Sequence, residues 1–394
     1  MIKRERYLAP IRAFYDDTLI KIITGIRRCG KSVILSQIYA EIREKTENTV
    51  YINFEDFAFS SLSTADALLH YIEEQRKDGM LYVFLDEIQR VDGWQDVCRT
   101  LRIRNCSVFI SGSNSNLLSS EFTRELSGRY VAFHINPFVY TEITAYLKEL
   151  GREASVSDYL VWGGFPQRLM YTTEDAMRQY LHDLYTAIIL NDIITRYHIR
   201  KPDLFKRLAI YVFTSNSRIF SARSIEAELK KDGWSCSIAT IVKYIGYLED
   251  AYAISAIAQY STKAKHVLQY YQKLYNTDVA FNSLFHADRR FDLTHNLENI
   301  VYNELLYRGY DLQTYTTKDG KEIDFLARKD GKEYYIQVAY SVAEDAAYTR
   351  EFAAFRTIDG LQKKILITAD ELDYSTAAVE HIRLKDFLVK ETFP

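Results

Sequence analysis

The sequence predicts an α/β core built on a parallel sheet, followed by a mostly helical region and a smaller α+β domain. Three observations carry this expectation. Five short apolar runs between residues 19 and 136 are separated by helix-length segments, the pattern of strands buried on both faces under crossover helices. The first run ends in a glycine-rich turn that leads directly into a helical stretch. Beyond about residue 295 a further helix precedes three more strand-like runs. A length of 394 residues accommodates two or three domains at ~150 residues each. With 47% hydrophobic and 14% aromatic residues the chain can build packed cores, which excludes disorder for most of it.

Taken in order, the first five strands are expected at 19–24, 49–54, 81–87, 106–112 and 130–136, within a core spanning 1–138. A helical extension is expected over 139–200, broken at Gly163-Gly164-Phe165-Pro166. Residues 201–290 make a third segment. Its helices are expected at 204–214, at 222–231 before Asp232-Gly233, and at 237–251 with Ser237 as N-cap. The runs YAISAIAQY and VLQYYQKLY follow as a β-type pair. The last domain, 291–394, opens with a helix at 297–308 and continues with the strands IDFLAR, EYYIQVAY and KKILIT.

Composition excludes several classes. Fifty basic and fifty-three acidic residues give a net charge of −3, a total that argues against a strongly basic nucleic-acid binder. Cys29, Cys98, Cys106 and Cys236 contain no C-x-x-C pair, so neither a zinc module nor a disulfide framework is expected. The opening MIKRERYLAPIRAFYDD lacks the apolar stretch of a signal peptide. No apolar run approaches the ~20 residues of a membrane span. A cytoplasmic protein without a membrane partner is the expectation.

The sharpest motif is Gly25-Ile26-Arg27-Arg28-Cys29-Gly30-Lys31-Ser32, which matches the phosphate-binding P-loop G-x-x-x-x-G-K-[ST]. Its glycines let backbone N–H groups close on phosphate oxygens, and the following helix N-terminus adds favourable potential. ATP and Mg²⁺ are therefore the expected cofactors. Lys31 is expected to reach the β- and γ-phosphates and the Ser32 hydroxyl to ligate Mg²⁺. Gly25, Arg28, Cys29 and Gly30 complete the loop, Cys29 through its backbone only. The run at 81–87 ends in two carboxylates: Asp86 suits the Mg²⁺ shell, and Glu87 is placed to polarise an attacking water. The fourth strand ends in Ser111-Gly112-Ser113-Asn114-Ser115, where Asn114, with Ser113 second, is the candidate contact to the γ-phosphate or the water. Arg129 is the candidate γ-phosphate sensor or finger toward a neighbouring subunit, with Arg124 the alternative.

These residues carry a resemblance. Residues 1–170 resemble bacterial and archaeal AAA-type ATP-binding proteins whose P-loop reads G-x-R-R-x-G-K-S. The segments L-D-E-I-Q at 85–89, S-G-S-x-S at 111–115, L-S-G-R at 126–129 and G-G-F-P at 163–166 are similar to the same family. The resemblance extends along the chain. It implies a P-loop NTPase core and a C-terminal domain of unknown function that resembles the PD-(D/E)XK, restriction-endonuclease-like fold.

In the middle segment the order of helices, turns and β-type pair looks like a winged helix-turn-helix, with the helix from 237 in the recognition position. Residues 196–273 carry thirteen Lys and Arg against six Asp and Glu, so the near-neutral total hides a basic region. Double-stranded DNA is the candidate partner, through Arg218, Arg223 and Lys243. A protein-interaction spacer is the competing reading.

For the last domain, the resemblance implies a helix carboxylate, a hairpin aspartate and an acid-x-lysine pair. Glu304 and Asp324 fit the first two roles. Gln337 replaces the third acid and Ala339 the lysine, with Lys321 or Lys332 the available substitutes. A degenerate nuclease site serving binding or assembly is expected. The whole chain then reads as an ATPase whose cycle rearranges C-terminal domains on DNA, on a protein or on a second copy of itself. A nucleotide-gated switch with negligible turnover and an ATP-dependent nuclease are the alternatives.

Overall fold

The structure, a computed structural model, describes residues 2–112, 128–260, 272–285, 293–358 and 362–390. The chain divides into two compact units, one made of 1–137 with 250–252, the other of 138–249 with 253–394.

The first unit runs α1 (Glu5–Arg12), β1 (Ile20–Thr24), α2 (Lys31–Arg43), β2 (Thr49–Asn53), α3 (Ala65–Glu74), β3 (Leu81–Asp86), α4 (Trp94–Ile103), β4 (Cys106–Ser111) and β5 (Tyr130–His134). Its five strands are all parallel, in the order β2-β3-β4-β1-β5. Every residue of β1 and β4 is buried, which is why these runs read as continuously apolar and not alternating. The amphipathic helices α3 and α4 turn Leu68, Ile72, Val97, Cys98 and Leu101 into one core with Ile22, Ile52, Val83 and Val108. On the α2 side Phe84 and Phe109 stack at 4.8 Å and Tyr39 packs edge-on to Phe84 at 5.4 Å.

A lysine sits inside this sheet. Lys21 of β1 is fully buried, donates to the Asp17 carbonyl and to Ser107 Oγ, both at 2.7 Å, and lies 4.4 Å from the Phe109 ring centre. Burial pushes its pKa down to about 7, although Asp17 and Asp16 oppose the shift. Between pH 7 and the ordinary lysine value the unfolded chain then binds more protons than the folded one, so stability rises with pH across that window. Below it the full cost of the buried charge is present. Lys21→Met is therefore expected to raise the melting temperature at pH 6 by roughly 3–6 °C. The gain should shrink toward pH 9.5 in thermal melts, and an unchanging difference would contradict the buried-charge account.

The second unit begins with α5 (Tyr140–Glu149), α6 (Val156–Trp162) and α7 (Glu174–Ala187), the last continuing into a π-helical turn at Ile188–Thr195. Next come α8 (Pro202–Thr214), β6 (Arg218–Phe220), α9 (Ala222–Lys231), α10 (Ile238–Asp250), β7 (Ile254–Ala258) and β8 (Gln272–Asn276). These three strands form an antiparallel sheet in the order β6-β8-β7. Then follow α11 (Ala280–Leu284), α12 (Leu293–Tyr307), β9 (Asp311–Thr316), β10 (Glu322–Lys329), β11 (Lys332–Val338), α13 (Asp345–Phe355), β12 (Lys363–Thr368), β13 (Glu380–Arg383) and α14 (Leu384–Val389). Their strands make a mixed sheet, β13-β12-β11-β10-β9, antiparallel from β9 to β11 and parallel from β11 to β13. The β10–β11 hairpin turns at Asp330-Gly331, both with positive φ, the conformation a two-residue hairpin requires.

The break at Gly163-Gly164-Phe165-Pro166 has a packing cause. The Asp278 carboxylate accepts from the Gly164 and Ala280 N–H groups at 2.8 and 2.9 Å. The buried Arg168 closes the other side, with Nε on the Gly163 carbonyl at 3.0 Å and Nη1 on Asp158 at 2.7 Å. The two glycines exist to let that carboxylate and the Phe138 carbonyl come close.

Candidate nucleotide site

In a parallel sheet all strand C-termini lie at one edge, and ligands of such sheets bind outside that edge. Here the register brings three strand ends into a row. Ser111 at the end of β4 pairs beside Ile23 of β1, and Leu85 beside Ile110 sets Asp86 next to Ser111. The loop after β1, the acids after β3 and the end of β4 therefore converge although they are far apart in sequence.

The loop 25–30 takes positive φ at Gly25 (141°), Arg28 (66°) and Gly30 (103°). A Cβ at Gly25 would stand 2.1 Å from the Ile135 carbonyl, so glycine is required there. α2 starts at Lys31 with no side chain capping its first turn, and its amides face the loop as a phosphate cradle would need. Lys31 is only 4% exposed, and its ammonium bridges the Gly25 and Ile26 carbonyls at 3.2 and 3.1 Å. Arg28 and Ser32 are exposed, while Cys29 is buried and contributes backbone, burial raising its thiol pKa.

Asp86 is 1% exposed and accepts from Ser111 Oγ. The same hydroxyl receives the Glu87 N–H at 3.3 Å, so Ser111 links the two acids. Glu87 is half-buried in the left-handed region (φ 56°), and Gln89 Nε2 donates to its carboxylate. A hydroxyl at the start of α2 with a buried carboxylate at the end of β3 is a donor set that fits Mg²⁺ beside a phosphate.

Other site residues stand differently. Asn114, with Ser113 and Arg124, lies outside the described residues. Arg129 is exposed and precedes β5, whose first residue Tyr130 pairs with Ile20, the first residue of β1. It therefore sits at the N-terminal edge of the sheet, a strand length of ~16 Å from the P-loop. That placement corrects the expectation of a γ-phosphate sensor within the same chain.

Arg4 has no counterpart among the expected residues. Fully buried just before α1, it donates from Nη1 to the Cys29 carbonyl at 3.1 Å and from Nη2 to the Asn136 carbonyl at 3.0 Å. Its guanidinium lies 4.5 Å from the Tyr7 ring centre, and the Tyr7 hydroxyl accepts the Asn136 N–H at 3.1 Å. The loop is thus braced from the N-terminus, and a second positive charge stands against it. The only signal was a basic cluster, Lys3-Arg4-Glu5-Arg6, with no motif around it.

The acids of the last domain assemble differently from expectation. Asp324 of β10 belongs to a buried cluster, but its helix partner is Glu298 and not Glu304. The two glutamates are six positions apart on α12, ~120° around the helix, so they face different neighbours. Glu304 instead pairs with Arg308 Nε at 2.7 Å, and that arginine also donates to the Phe387 carbonyl at 2.6 Å. Lys273 of β8, only 6% exposed, supplies the cluster's ammonium: 2.8 Å to Glu298, 2.9 Å to Glu322 and 3.1 Å to Asp324. Gln337 accepts the Asp324 N–H and donates to Glu351 at 2.9 Å. Burial holds Glu298 and Asp324 above the ordinary carboxylate range. Lys273 is held above its own usual value because the three carboxylates outweigh burial. Lys321 is engaged with the Ala353 carbonyl and Asp319, away from the cluster. Among the described residues no three His, Cys, Asp or Glu side chains are grouped to hold a metal, and no helix is long and apolar enough to cross a membrane.

Residues 17–144 match the model of an AAA domain, 153–288 a domain of unknown function (DUF8612), and 294–387 another (DUF4143). The Walker-type ATPase PabY2304 of Pyrococcus abyssi is similar in fold, with a TM-score of 0.50 at 15% identity, covering 72% of this chain and 96% of that one. The N-terminal unit is an AAA-type domain with the P-loop ATPase fold. Among relatives, the uncharacterized protein MJ1544 of Methanocaldococcus jannaschii is 29% identical, over 89% of this chain and 82% of its own. An uncharacterized protein of Haemophilus influenzae is 33% identical over 402 residues, 99% of each chain. The chain belongs to the same family as that Haemophilus protein, an AAA-domain family whose two C-terminal domains have no assigned function.

Proposed function

We propose that the chain binds ATP with Mg²⁺ at the loop after β1, hydrolyses it, and uses the cycle to rearrange its C-terminal domains on DNA or on a protein partner. The observation that carries the reading is the convergence of Lys31, Asp86, Glu87 and Ser111 at the ends of three adjacent parallel strands. Bound Mg²⁺ supplies charge neutralisation between the phosphates. The chain's own residues do the rest. Lys31 exchanges the Gly25 and Ile26 carbonyls for phosphate oxygens, a swap that costs little because the ammonium is already desolvated and aimed across the loop. Asp86, fixed by Ser111, holds the metal's water shell. Glu87, held by its backbone bond to Ser111 and by Gln89, takes the proton of the attacking water.

The partner reading rests on the second unit. Helices α8 to α10 with the β6-β8-β7 sheet follow the element order of a winged helix-turn-helix, with α10 in the recognition position. Arg218, Arg223 and Lys243 are exposed there, as phosphate contacts on double-stranded DNA need to be.

Lys31→Ala tests the site. Losing a charged, bridging donor is expected to weaken ATP binding by about 10²-fold in a fluorescent-nucleotide titration. Wild-type affinity in this variant would overturn the assignment.

A further inference from the structure

A divalent metal implied by the nuclease-like resemblance does not fit the last domain, and the misfit is specific. Glu298 from α12 and Glu322 and Asp324 from β10 surround one point, and that point holds the ammonium of Lys273. An ammonium has three protons and meets three carboxylates at 2.8, 2.9 and 3.1 Å, so its donor capacity is used completely. Mg²⁺ would need oxygens drawn in to ~2.0–2.1 Å around the same point, which the ammonium occupies. Part of the remaining ligand capacity is also taken. Asp324 Oδ2 accepts the Val338 N–H at 2.9 Å, and Tyr275 OH donates to Glu298 at 2.8 Å. The amide oxygen of Gln337 is taken by the Asp324 N–H, and its amide nitrogen by Glu351.

Lys273 cannot easily leave. It stands on the central strand β8, paired across to Ile219 of β6 and Ile257 of β7. The lysine therefore ties the three-stranded sheet to α12 and β10 within one unit. Removing its charge would leave the buried Glu298 and Asp324 facing each other beside the half-exposed Glu322, an arrangement that favours another cation.

We propose that Lys273 is the resident cation of this site: it takes the place of a metal ion, so the domain binds no divalent cation there and serves assembly or binding. Only its removal opens the pocket to one. The proposal does not depend on the nucleotide reading, which concerns the other unit.

The test uses the full chain without nucleotide and Mn²⁺ as the probe, followed by electron paramagnetic resonance and thermal unfolding. Wild type and Asp324→Asn are expected to bind Mn²⁺ identically. Lys273→Ala is expected to melt lower than wild type and to recover on adding Mn²⁺, with at least tenfold tighter Mn²⁺ binding. Adding Asp324→Asn to that variant should abolish the recovery. Two results overturn the proposal: Mn²⁺ bound by wild type and lost in Asp324→Asn, or a folded Lys273→Ala that shows no gain. Should Lys273→Ala fail to fold, the wild-type and Asp324→Asn comparison still decides whether a metal competes with the lysine.

Discussion

Glu87→Gln is expected to slow phosphate release from ATP by about 10²–10⁴-fold while leaving nucleotide affinity unchanged. The effect is large because the side chain changes in one property alone. Glutamine has the same shape, keeps the backbone N–H bond to Ser111 Oγ, and can still meet Gln89, but it cannot take a proton. The backbone at this position is already in the left-handed region, and an isosteric replacement adds no new demand there. Loss should therefore fall on turnover and not on binding. Parallel measurements of phosphate release and fluorescent-nucleotide affinity separate the two. Unchanged turnover would remove Glu87 from the reaction, and a matching loss of affinity would make its role structural.

The largest effect on stability is expected at Gly163. Its φ is +65°, and a Cβ there would lie 1.6 Å from Asp278 Oδ1. The aspartate has no room to retreat, because its oxygens are bound to the Gly164 and Ala280 N–H groups and Arg168 holds the Gly163 carbonyl. Gly163→Ala must break that arrangement and leave a buried carboxylate short of donors, a loss of about 3–5 kcal/mol. Gly246 supplies the contrast. It sits inside α10, where an added Cβ meets nothing within 4 Å, so Gly246→Ala is expected to stabilise by up to ~1 kcal/mol. Urea unfolding of the two variants checks both signs, and a mild Gly163→Ala would show that the carboxylate nest is not needed.

What could be read from the sequence follows the range of each interaction. The five parallel strands were legible because burial on both faces leaves near-continuous apolar runs, as in IKIIT and CSVFIS. The position of the glycine-rich turn after β1 and of the two acids closing β3 was legible because each is local to one strand end. Ranges extended one or two residues past the observed strands, as at 130–136 against Tyr130–His134. Edge strands were harder: DLQTYT of β9 is half polar and EHIR of β13 is four residues long, so neither carries a clear period. Long-range partners were not legible. Arg4 reaches a carbonyl 25 residues on and another 132 residues on. Lys273 meets acids 25 to 51 positions later, and no spacing rule connects β8 with α12 and β10. The choice between Glu298 and Glu304 turned on which face of α12 meets β10, and Arg129 on the direction of β5, both properties of the assembled fold.

The central claim is that an AAA-type domain in this chain turns over ATP. Steady-state phosphate release with Mg²⁺-ATP, with and without double-stranded DNA, measures it directly against Lys31→Ala as the blank. The account predicts release by wild type well above that blank, dependent on Mg²⁺, and lost in Glu87→Gln. Wild type that binds ATP but releases no more phosphate than Lys31→Ala, with or without DNA, would contradict it.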